Sequence, residues 1–222
     1  MTHILTLNQI EPVTHDVHCL RFDKPERFTF EPGQAVELAL DRDGWRDEAR
    51  PFTMTSLPED DFLEFTIKSY PDHGGVTEQI GKMRPGDKVI VGDVFGAITD
   101  AGPGVFIAGG AGVTPFIAIL RRRQRDDALD GCTLIFSNRL EKDIIRREEF
   151  EGMDGLKTVF TVTDEAVDGL FNRMIDGDML DDVLEDYDRR FYVCGPPPMI
   201  DAVVQTLKDK GVPDGRITIE TA

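Results

Sequence analysis

The sequence predicts two domains of different fold, an antiparallel β-barrel or sandwich followed by a parallel α/β sheet. Short alternating runs separated by turn residues fill the first half, whereas strand, turn and helix patterns repeat in the second. The small, turn-forming segment 99–104 separates the two patterns. We therefore predict a first domain over residues 1–100 and a second over residues 101–222.

Short strands dominate the first half. Regularly spaced short strands are typical of an antiparallel barrel or sandwich. One short helix is expected over residues 76–83, and the segment 50–56 reads as an extended stretch or edge strand. The predicted strands are 21–23, 28–30, 35–40, 62–68 and 88–92.

Apolar strands alternate with glycine-rich turns and amphipathic segments from residue 104 onward. This alternation predicts a parallel sheet with helices on both faces. Helices are expected from Thr114 or Pro115 to about residue 125 and over residues 197–210. The predicted strands are 105–108, 133–137, 158–162, 190–195 and 217–220.

The composition is that of a compact globular protein with an acidic surface. Asp and Glu number 42 against 25 Lys and Arg, and the net charge of −17 repels phosphate backbones and anionic lipids. We therefore expect no nucleic-acid or membrane role. Without a recognisable signal peptide or an 18-residue apolar segment, the predicted location is cytoplasmic. The Asp-rich, Lys-poor acidity fits either adaptation to concentrated salt or an ordinary acidic surface.

Three widely spaced cysteines limit the metal chemistry expected of the chain. Cys19, Cys132 and Cys194 lack metal-type spacing, and three thiols are too few for a four-cysteine cluster. We expect no disulfide framework, structural zinc or iron–sulfur cluster within these residues.

A glycine-rich turn directly after the strand 105–108 is the strongest single sign of function. Glycines in the segment 109–112 allow the backbone to approach a pyrophosphate, which free amides and the following helix would stabilise. We expect Thr114 to cap that helix and Pro115 to lie in its first turn. The spacing is not G-x-G-x-x-G, and an ordinary tight turn would show the same pattern.

A second Gly/Pro turn follows the strand 190–195, at the same carboxyl edge of the predicted sheet. Within it, Cys194 either faces a cofactor ring or is a small buried residue. No histidine or other base lies near Cys194 in sequence, so nucleophilic catalysis is not expected.

The first half adds further polar elements. The segment 50–56 joins a guanidinium, an aromatic ring and several hydroxyls, and Lys68 and Tyr70 follow. Residues 74–77 form a second turn at a helix N-terminus that is able to hold phosphate. Two such turns in two predicted domains are a stronger signal than one.

The strings RPFTMTS, GGVT, GGAGVTP and CGPPPM, in this order, resemble the ferredoxin-NADP reductase superfamily over about residues 5–220. The resemblance implies a six-stranded antiparallel flavin-binding barrel followed by an NAD(P)-binding α/β domain. FAD is the expected flavin, and FMN is the weaker alternative. Phe52 stands where the family has tyrosine, which keeps the stacking surface but loses a hydrogen bond to the flavin chain.

The resemblance also implies roles for individual residues. Three are expected to act in catalysis: Thr53 hydrogen-bonds near flavin N5, Cys194 packs against the nicotinamide, and Glu220 relays a proton. The residues expected to bind the flavin are Arg50, Pro51, Phe52, Thr53, Lys68, Tyr70, Gly74, Gly75, Val76 and Thr77. Those expected to bind the nicotinamide dinucleotide are Gly110, Gly112, Thr114, Ser137, Arg139, Cys194, Gly195 and Pro196.

The segment after the second strand of the α/β half favours NADPH over NADH. Ser137 and Arg139 suit a 2′-phosphate, and no acidic residue stands directly there to bind a ribose diol. If Arg139 instead pairs with Glu141 or Asp143, NADH remains a possible coenzyme.

The expected reaction is hydride transfer from NAD(P)H to FAD, followed by electron transfer to a ferredoxin, a flavodoxin or a small-molecule acceptor. A second hypothesis is an electron-transfer subunit of a larger oxygenase or dehydrogenase complex. The basic run 121–125 is either a docking patch for an acidic carrier or a solvated helix face.

Overall fold

The computed structural model describes residues 2–221 and contains two sheets, one antiparallel with six strands and one parallel with five. This is the predicted two-domain fold. The strands of the first sheet are β1 (His3–Pro12), β2 (Val17–Asp23), β3 (Ala35–Leu40), β4 (Arg50–Thr53), β5 (Phe62–Lys68) and β6 (Lys88–Phe95).

The antiparallel sheet closes into a barrel. Its strand order is β4-β3-β6-β1-β2-β5, and the two outer strands meet where Met54 bridges to Phe65. The Thr55 amide also donates to the Glu64 carbonyl over 2.7 Å. Closure removes the open edges that a sandwich would leave. Inward-facing Leu and Phe side chains such as Leu5 fill the interior and are fully buried.

Residues 28–30 do not form the predicted strand. Arg27 adopts a left-handed conformation with φ +65°, and the Phe28 amide donates to the Pro25 carbonyl, which closes a turn before the segment. A second turn follows, because the Gln34 amide donates to the Glu31 carbonyl. With turns on both sides the segment has no strand to pair with, although its two phenylalanines pack in the barrel core. The strand β1, by contrast, was not predicted.

The parallel sheet has the order β11-β10-β7-β8-β9 and carries buried side chains on both faces. Its strands are β7 (Gly104–Gly109), β8 (Thr133–Asn138), β9 (Lys157–Val162), β10 (Arg190–Gly195) and β11 (Ile217–Thr221). The helices of the chain are α1 (Val76–Ile80) on the barrel and α2 (Thr114–Arg125), α3 (Arg147–Glu151), α4 (Gly177–Val183) and α5 (Pro197–Asp209) on the parallel sheet. No sequence signal predicted α3 or α4. None of the helices within residues 2–221 is long and apolar enough to cross a membrane.

The strand order reverses between β7 and β10. The chain leaves β7 toward β8 on one side, whereas β10 and β11 lie on the other side. The carboxyl ends of β7 and β10 therefore diverge into a crevice, the usual place for a ligand in an open α/β sheet. The predicted domain boundary at residue 100 falls in the connection between β6 and β7. The boundary itself stays a prediction.

A buried ion cluster joins the barrel to the α/β domain. The Glu64 side chain on β5 is only 1% exposed and accepts from Arg121 (2.7 Å), Arg146 (3.1 Å) and Arg21 (3.0 Å). Glu149 binds Arg121 and Arg146 from the other side. This Glu64 cluster comprises Arg21, Thr55, Glu64, Arg121, Arg146 and Glu149.

The ionisation of Glu64 depends on these arginines. Burial by itself would raise the pKa of the carboxyl, but the charges and hydrogen bonds of Arg121, Arg146 and Arg21 outweigh it and lower the pKa to about 2. Glu64 is therefore ionised throughout the physiological range. Together with Glu149 it compensates the two more buried guanidinium groups, those of Arg121 and Arg146, whereas Arg21 is 40% exposed to water.

The arginines of the basic run on α2 form ion pairs with acidic residues of the same chain. Arg122 and Arg125 both pair with Glu59 on the barrel, and Arg123 pairs with Asp100 in the connection between the sheets. With Arg121 in the Glu64 cluster, every arginine of the run has an acidic partner in the barrel or the connection. The run is therefore neither a free docking patch nor a simple solvated face.

Replacing the buried carboxylate should destabilise the fold in a pH-dependent way. We expect Glu64→Gln to lower the free energy of unfolding at neutral pH by about 3–5 kcal/mol, because it leaves buried guanidinium charge uncompensated. The folded-state pKa of about 2 lies below the ordinary value of 4.5, so the contribution of Glu64 is present above pH 4.5 and is lost as the pH falls toward 2.

Urea unfolding from neutral pH down to about pH 3 measures the difference in the free energy of unfolding between wild type and Glu64→Gln. Glu59→Gln is the control. Glu59 makes a more exposed pair with the same helix, and its loss should cost only about 0–1 kcal/mol. A difference between wild type and Glu64→Gln that stayed constant with pH would contradict the assignment.

Candidate functional site

A cavity of about 750 Å³ opens at the carboxyl edge of the parallel sheet. One wall is the turn after β7, including Gly110, and the opposite wall is the turn after β10, including Pro196. The ends of β8 and β9 extend the floor, and Lys68 and Tyr70 from the barrel lie at one side. The cavity therefore occupies the crevice that the strand order creates and has walls from both domains.

The glycine-rich turn enters α2 through a 3₁₀ helix over Gly110–Val113. Gly112 packs directly against β10, since a Cβ added there would lie 2.4 Å from the Cys194 carbonyl oxygen. Gly110 has φ +53° with open space where a side chain would stand, on the cavity side of the turn. One glycine thus allows the close packing of strand and turn, and the other leaves backbone accessible to a ligand.

Thr114 does not cap α2 as predicted. It is the first residue of the helix, the N-cap position is Val113, and the Thr114 hydroxyl donates back to the Ala111 carbonyl over 3.0 Å. The 3₁₀ turn moves the start of the helix by one residue, so the hydroxyl stabilises the turn instead of a free helix amide. Pro115 lies in the first turn, as expected.

The structure brings some predicted residues into this cavity and leaves others outside it. Those that line it are Lys68, Tyr70, Gly110, Ser137, Arg139 and Pro196. Gly112, Thr114, Cys194 and Gly195 belong to the same two turns or their ends but do not line it. Sequence reasoning missed several further lining side chains, for which no motif gave a signal: Thr163, Met174, Ile175, Asp176 and Ala202.

The charges of the cavity are paired at its rim. Lys68 binds Asp16 over 3.0 Å, and although burial favours the neutral acid, the contact with Lys68 lowers the pKa of Asp16. Arg139 is largely exposed and binds Asp164 over 2.8 Å, and not Glu141 or Asp143, which were its alternative partners. The pKa of Asp164 is lowered by hydrogen bonds from Thr163 and Arg139. The side chains of Lys68 and Arg139 are therefore each held in place by a carboxylate of the protein itself.

The three residues expected in catalysis follow one line across the domain junction. Thr53 on β4 pairs with Ala35 on β3, whose neighbour in space is Gly96. Beside Gly96 lies the Glu220 carboxylate, which accepts from the amides of Ala97 (2.9 Å) and Ile98 (3.3 Å). On the adjacent strand, Cys194 pairs with Glu220 in the parallel register. The fold thus connects Thr53, Glu220 and Cys194, which lie on three different strands, through neighbouring backbone positions.

Cys194 is only 2% exposed and packs in the core beneath the β10 turn. Burial, together with the nearby charge of Glu220, raises the pKa of the thiol to about 12. The thiol is therefore neutral at physiological pH.

The flavin-side residues lie on the barrel surface around β4 and α1. Arg50 is half-exposed and binds Glu48 over 3.1 Å, Pro51 lies beside it on β4, and Phe52 packs partly against the barrel core. At α1, the Gly74 amide donates to Glu78 over 2.8 Å.

Gly75 is the N-cap of α1, and Val76 and Thr77 open the helix. The amides at the start of a helix have no partner within the helix. The side chain of Val76 is buried, so only its backbone is available to a ligand.

These features fit a dinucleotide. The cavity is large enough for a nucleotide ligand, its wall offers glycine backbone at the positive end of α2, and cations stand at its rim. Gly75 likewise has open space around the position of a Cβ, which leaves its backbone accessible.

Comparison with known proteins agrees with this geometry. Residues 4–98 match the model of the oxidoreductase FAD-binding domain, and residues 106–205 match that of the oxidoreductase NAD-binding domain. The chain carries an oxidoreductase FAD-binding domain followed by an oxidoreductase NAD-binding domain. Its cofactors are accordingly FAD and NAD(P)H.

Two relatives are similar over most of this chain. The reductase component of the naphthalene 1,2-dioxygenase system of Pseudomonas putida is 28% identical, over 93% of this chain and 65% of that protein. NADH-cytochrome b5 reductase 2 of Mycosarcoma maydis is 30% identical, again over 93% and 65%. The chain thus spans just under two thirds of the length of these relatives.

A solved ferredoxin NADP⁺ reductase from Neisseria gonorrhoeae, with bound FAD and NADP, superposes with a TM-score of 0.85 at 21% identity. The match covers 99% of this chain and 98% of that one. At 21% identity, this similarity shows a shared fold and nothing more.

Adding one methyl group at Gly112 should disturb the junction of turn and strand. The new Cβ would lie 2.4 Å from the Cys194 oxygen and 2.6 Å from the Gly195 Cα, and backbone atoms cannot rotate away. We expect Gly112→Ala to cost about 1–3 kcal/mol and to weaken coenzyme binding by displacing the cavity wall. Thermal unfolding and coenzyme titration test this against Gly215→Ala, which has open space around its Cβ. Equal behaviour of the two variants would contradict the packing role.

Proposed function

We propose that this chain is a flavin-dependent NAD(P)H oxidoreductase that reduces bound FAD and passes the electrons to a separate acceptor. The observation that carries the proposal is the cavity between the β7 and β10 turns, which Lys68 and Tyr70 of the barrel also line. A dinucleotide in that cavity would have its reactive end near the barrel. In net terms, NAD(P)H and a proton convert FAD to FADH₂ and leave NAD⁺ or NADP⁺.

The chain's own residues provide binding and alignment. Arg50 would pair with the flavin phosphates, Phe52 would lie against the ring, and the amides of residues 75–77 would hold the pyrophosphate. Thr53 would donate a hydrogen bond near flavin N5.

On the nicotinamide side, Gly110 and the helix α2 would support the coenzyme phosphates. Cys194 and Gly195 would shape the floor beneath the nicotinamide. Glu220, held by two backbone amides, is the carboxylate available to relay the proton.

The proposed acceptor is a ferredoxin, a flavodoxin or a small molecule. One relative named above is a ferredoxin–NAD(P)⁺ reductase component of a dioxygenase system, and another is named for cytochrome b5. The former also supports the alternative, an electron-transfer subunit of a larger oxygenase complex.

An anaerobic spectrum of the purified protein tests the proposal directly. After reconstitution with FAD, titration with NADPH or NADH should bleach the flavin absorbance with one equivalent of coenzyme. A panel of ferredoxin, flavodoxin, free flavin and ferricyanide should then restore the oxidised spectrum at different rates. Failure to bind FAD, or a bound flavin that neither coenzyme bleaches, would overturn the proposal.

Removing the Arg50 guanidinium should weaken flavin binding. Because this side chain is half-exposed and its partners are two residues of its own segment, the Ala49 carbonyl at 2.7 Å and the Glu48 carboxylate at 3.1 Å, it is free to turn to a phosphate. We expect Arg50→Ala to raise the Kd for FAD about tenfold or more, measured by flavin fluorescence. Arg46→Ala is the matched control, since Arg46 pairs with Asp41 and Asp43 within its own loop. Full flavin content in purified Arg50→Ala would contradict the role.

The predicted preference for NADPH depends on Arg139, and we propose that Asp164 modulates it. Asp164 holds the Arg139 guanidinium, so its charge opposes the approach of a 2′-phosphate. Asp164→Asn should therefore raise the ratio of kcat/KM for NADPH over NADH about tenfold, and Arg139→Ala should lower it. Steady-state kinetics with both coenzymes measure the ratio. If neither variant changes it, the coenzyme is selected elsewhere.

A further inference from the structure

The Glu64 cluster connects the two cofactor-binding motifs through a short path of side chains. On the barrel side, Thr55 follows two residues after Thr53. Its hydroxyl donates to the Glu64 carboxylate over 2.9 Å, and its carbonyl accepts from Arg121 over 2.7 Å. The segment that continues β4 is thus held by the same groups that hold α2.

On the α/β side, Arg121 belongs to the helix that begins at the glycine-rich turn. It lies seven residues after Thr114, about 10 Å along the helix axis. At its start, α2 is continuous with the turn that packs Gly112 against the Cys194 backbone. Because the twelve-residue helix α2 moves as one rigid rod, a rotation at Arg121 would move the cavity wall.

Glu149 is the second carboxylate that binds Arg121. Its carboxylate binds Arg121 Nε over 2.5 Å and Nη2 over 3.0 Å, while Arg121 Nη1 reaches Glu64 over 2.7 Å. Bidentate contacts with one carboxylate and a further contact with another define the orientation of the guanidinium plane. A lysine could not reproduce both contacts.

We propose that Arg121, together with Glu64 and Glu149, is a positioning residue for hydride transfer: it fixes α2 and the nicotinamide side of the cavity relative to the flavin side at Thr53. The inference rests on the function proposed above. Buried ion pairs contribute little net stability compared with apolar packing, and specifying one arrangement is their best-attested use. Small displacements matter here, because misplacement by about 1 Å can slow a reaction about a hundredfold.

The first test measures domain geometry without any reaction. Nitroxide labels are attached at Asp43→Cys on the barrel and Asp214→Cys on the α/β domain, whose native side chains are 98% and 80% exposed. The three native cysteines are buried and should escape labelling. Pulsed EPR of the FAD-free and FAD-loaded protein then gives the distribution of distances between the domains.

The second test measures reduction of bound FAD in a stopped-flow instrument at saturating coenzyme, with protiated and 4-deuterated coenzyme. The variants are Glu64→Gln and Arg121→Lys, so that a failure of one to fold leaves the other. Glu59→Gln is the matched control, because it removes the more exposed pairs of the same helix with the barrel.

We expect a single narrow distance in the wild type and in Glu59→Gln, and a broadened one in both cluster variants. Their flavin reduction should be slower by about tenfold or more, with FAD content unchanged and the Kd for coenzyme within about threefold. Wild-type distances, or a reduction rate within about twofold of wild type in a folded variant, would overturn the inference and leave the proposed function intact. A wild type that binds FAD but is not bleached would overturn the proposed function and the inference with it.

Discussion

One buried carboxylate holds the two domains in a fixed relation. Glu64 lies on a barrel strand yet binds two arginines of the α/β domain, and removal from water would be costly without them. The pairing is mutual: Arg121 and Arg146 are themselves largely buried and are also bound by Glu149. Because the cavity takes Lys68 and Tyr70 from the barrel and its remaining walls from the α/β domain, its shape depends on this contact.

The cavity itself follows from strand order and from the absence of side chains at two glycines. Reversal of the order between β7 and β10 opens the crevice, and Gly112 lets the β7 turn lie directly on the β10 backbone. Gly110 presents backbone to the space that remains. Ion pairs at the rim, Lys68 with Asp16 and Arg139 with Asp164, orient the cations while limiting their net charge.

The surface charge of the protein bears on its acceptor. The arginines of α2 bind acidic residues of the barrel and the connection, so they do not offset the net charge of −17 at a separate docking patch. An acidic carrier would therefore approach against repulsion, which salt weakens. A neutral or small-molecule acceptor would not meet this barrier.

Local patterns in the chain were enough to predict an antiparallel barrel or sandwich, the parallel sheet and the glycine turns at 74–77 and 109–112, because periodicity and backbone freedom are properties of neighbouring residues. They were not enough to exclude a strand at 28–30, where turns on both sides leave no pairing partner, or to assign the first turn of α2, which the packing of Gly112 determines.

The role of the run 121–125 and the cluster around Glu64 likewise became visible only in the folded chain. Glu64 and Arg121 are 57 residues apart in sequence, and no local rule relates them. A lone glutamate in an apolar strand shows that a partner is needed, but only packing of the two domains shows which residue supplies it, since ion pairs form through space and not along the chain.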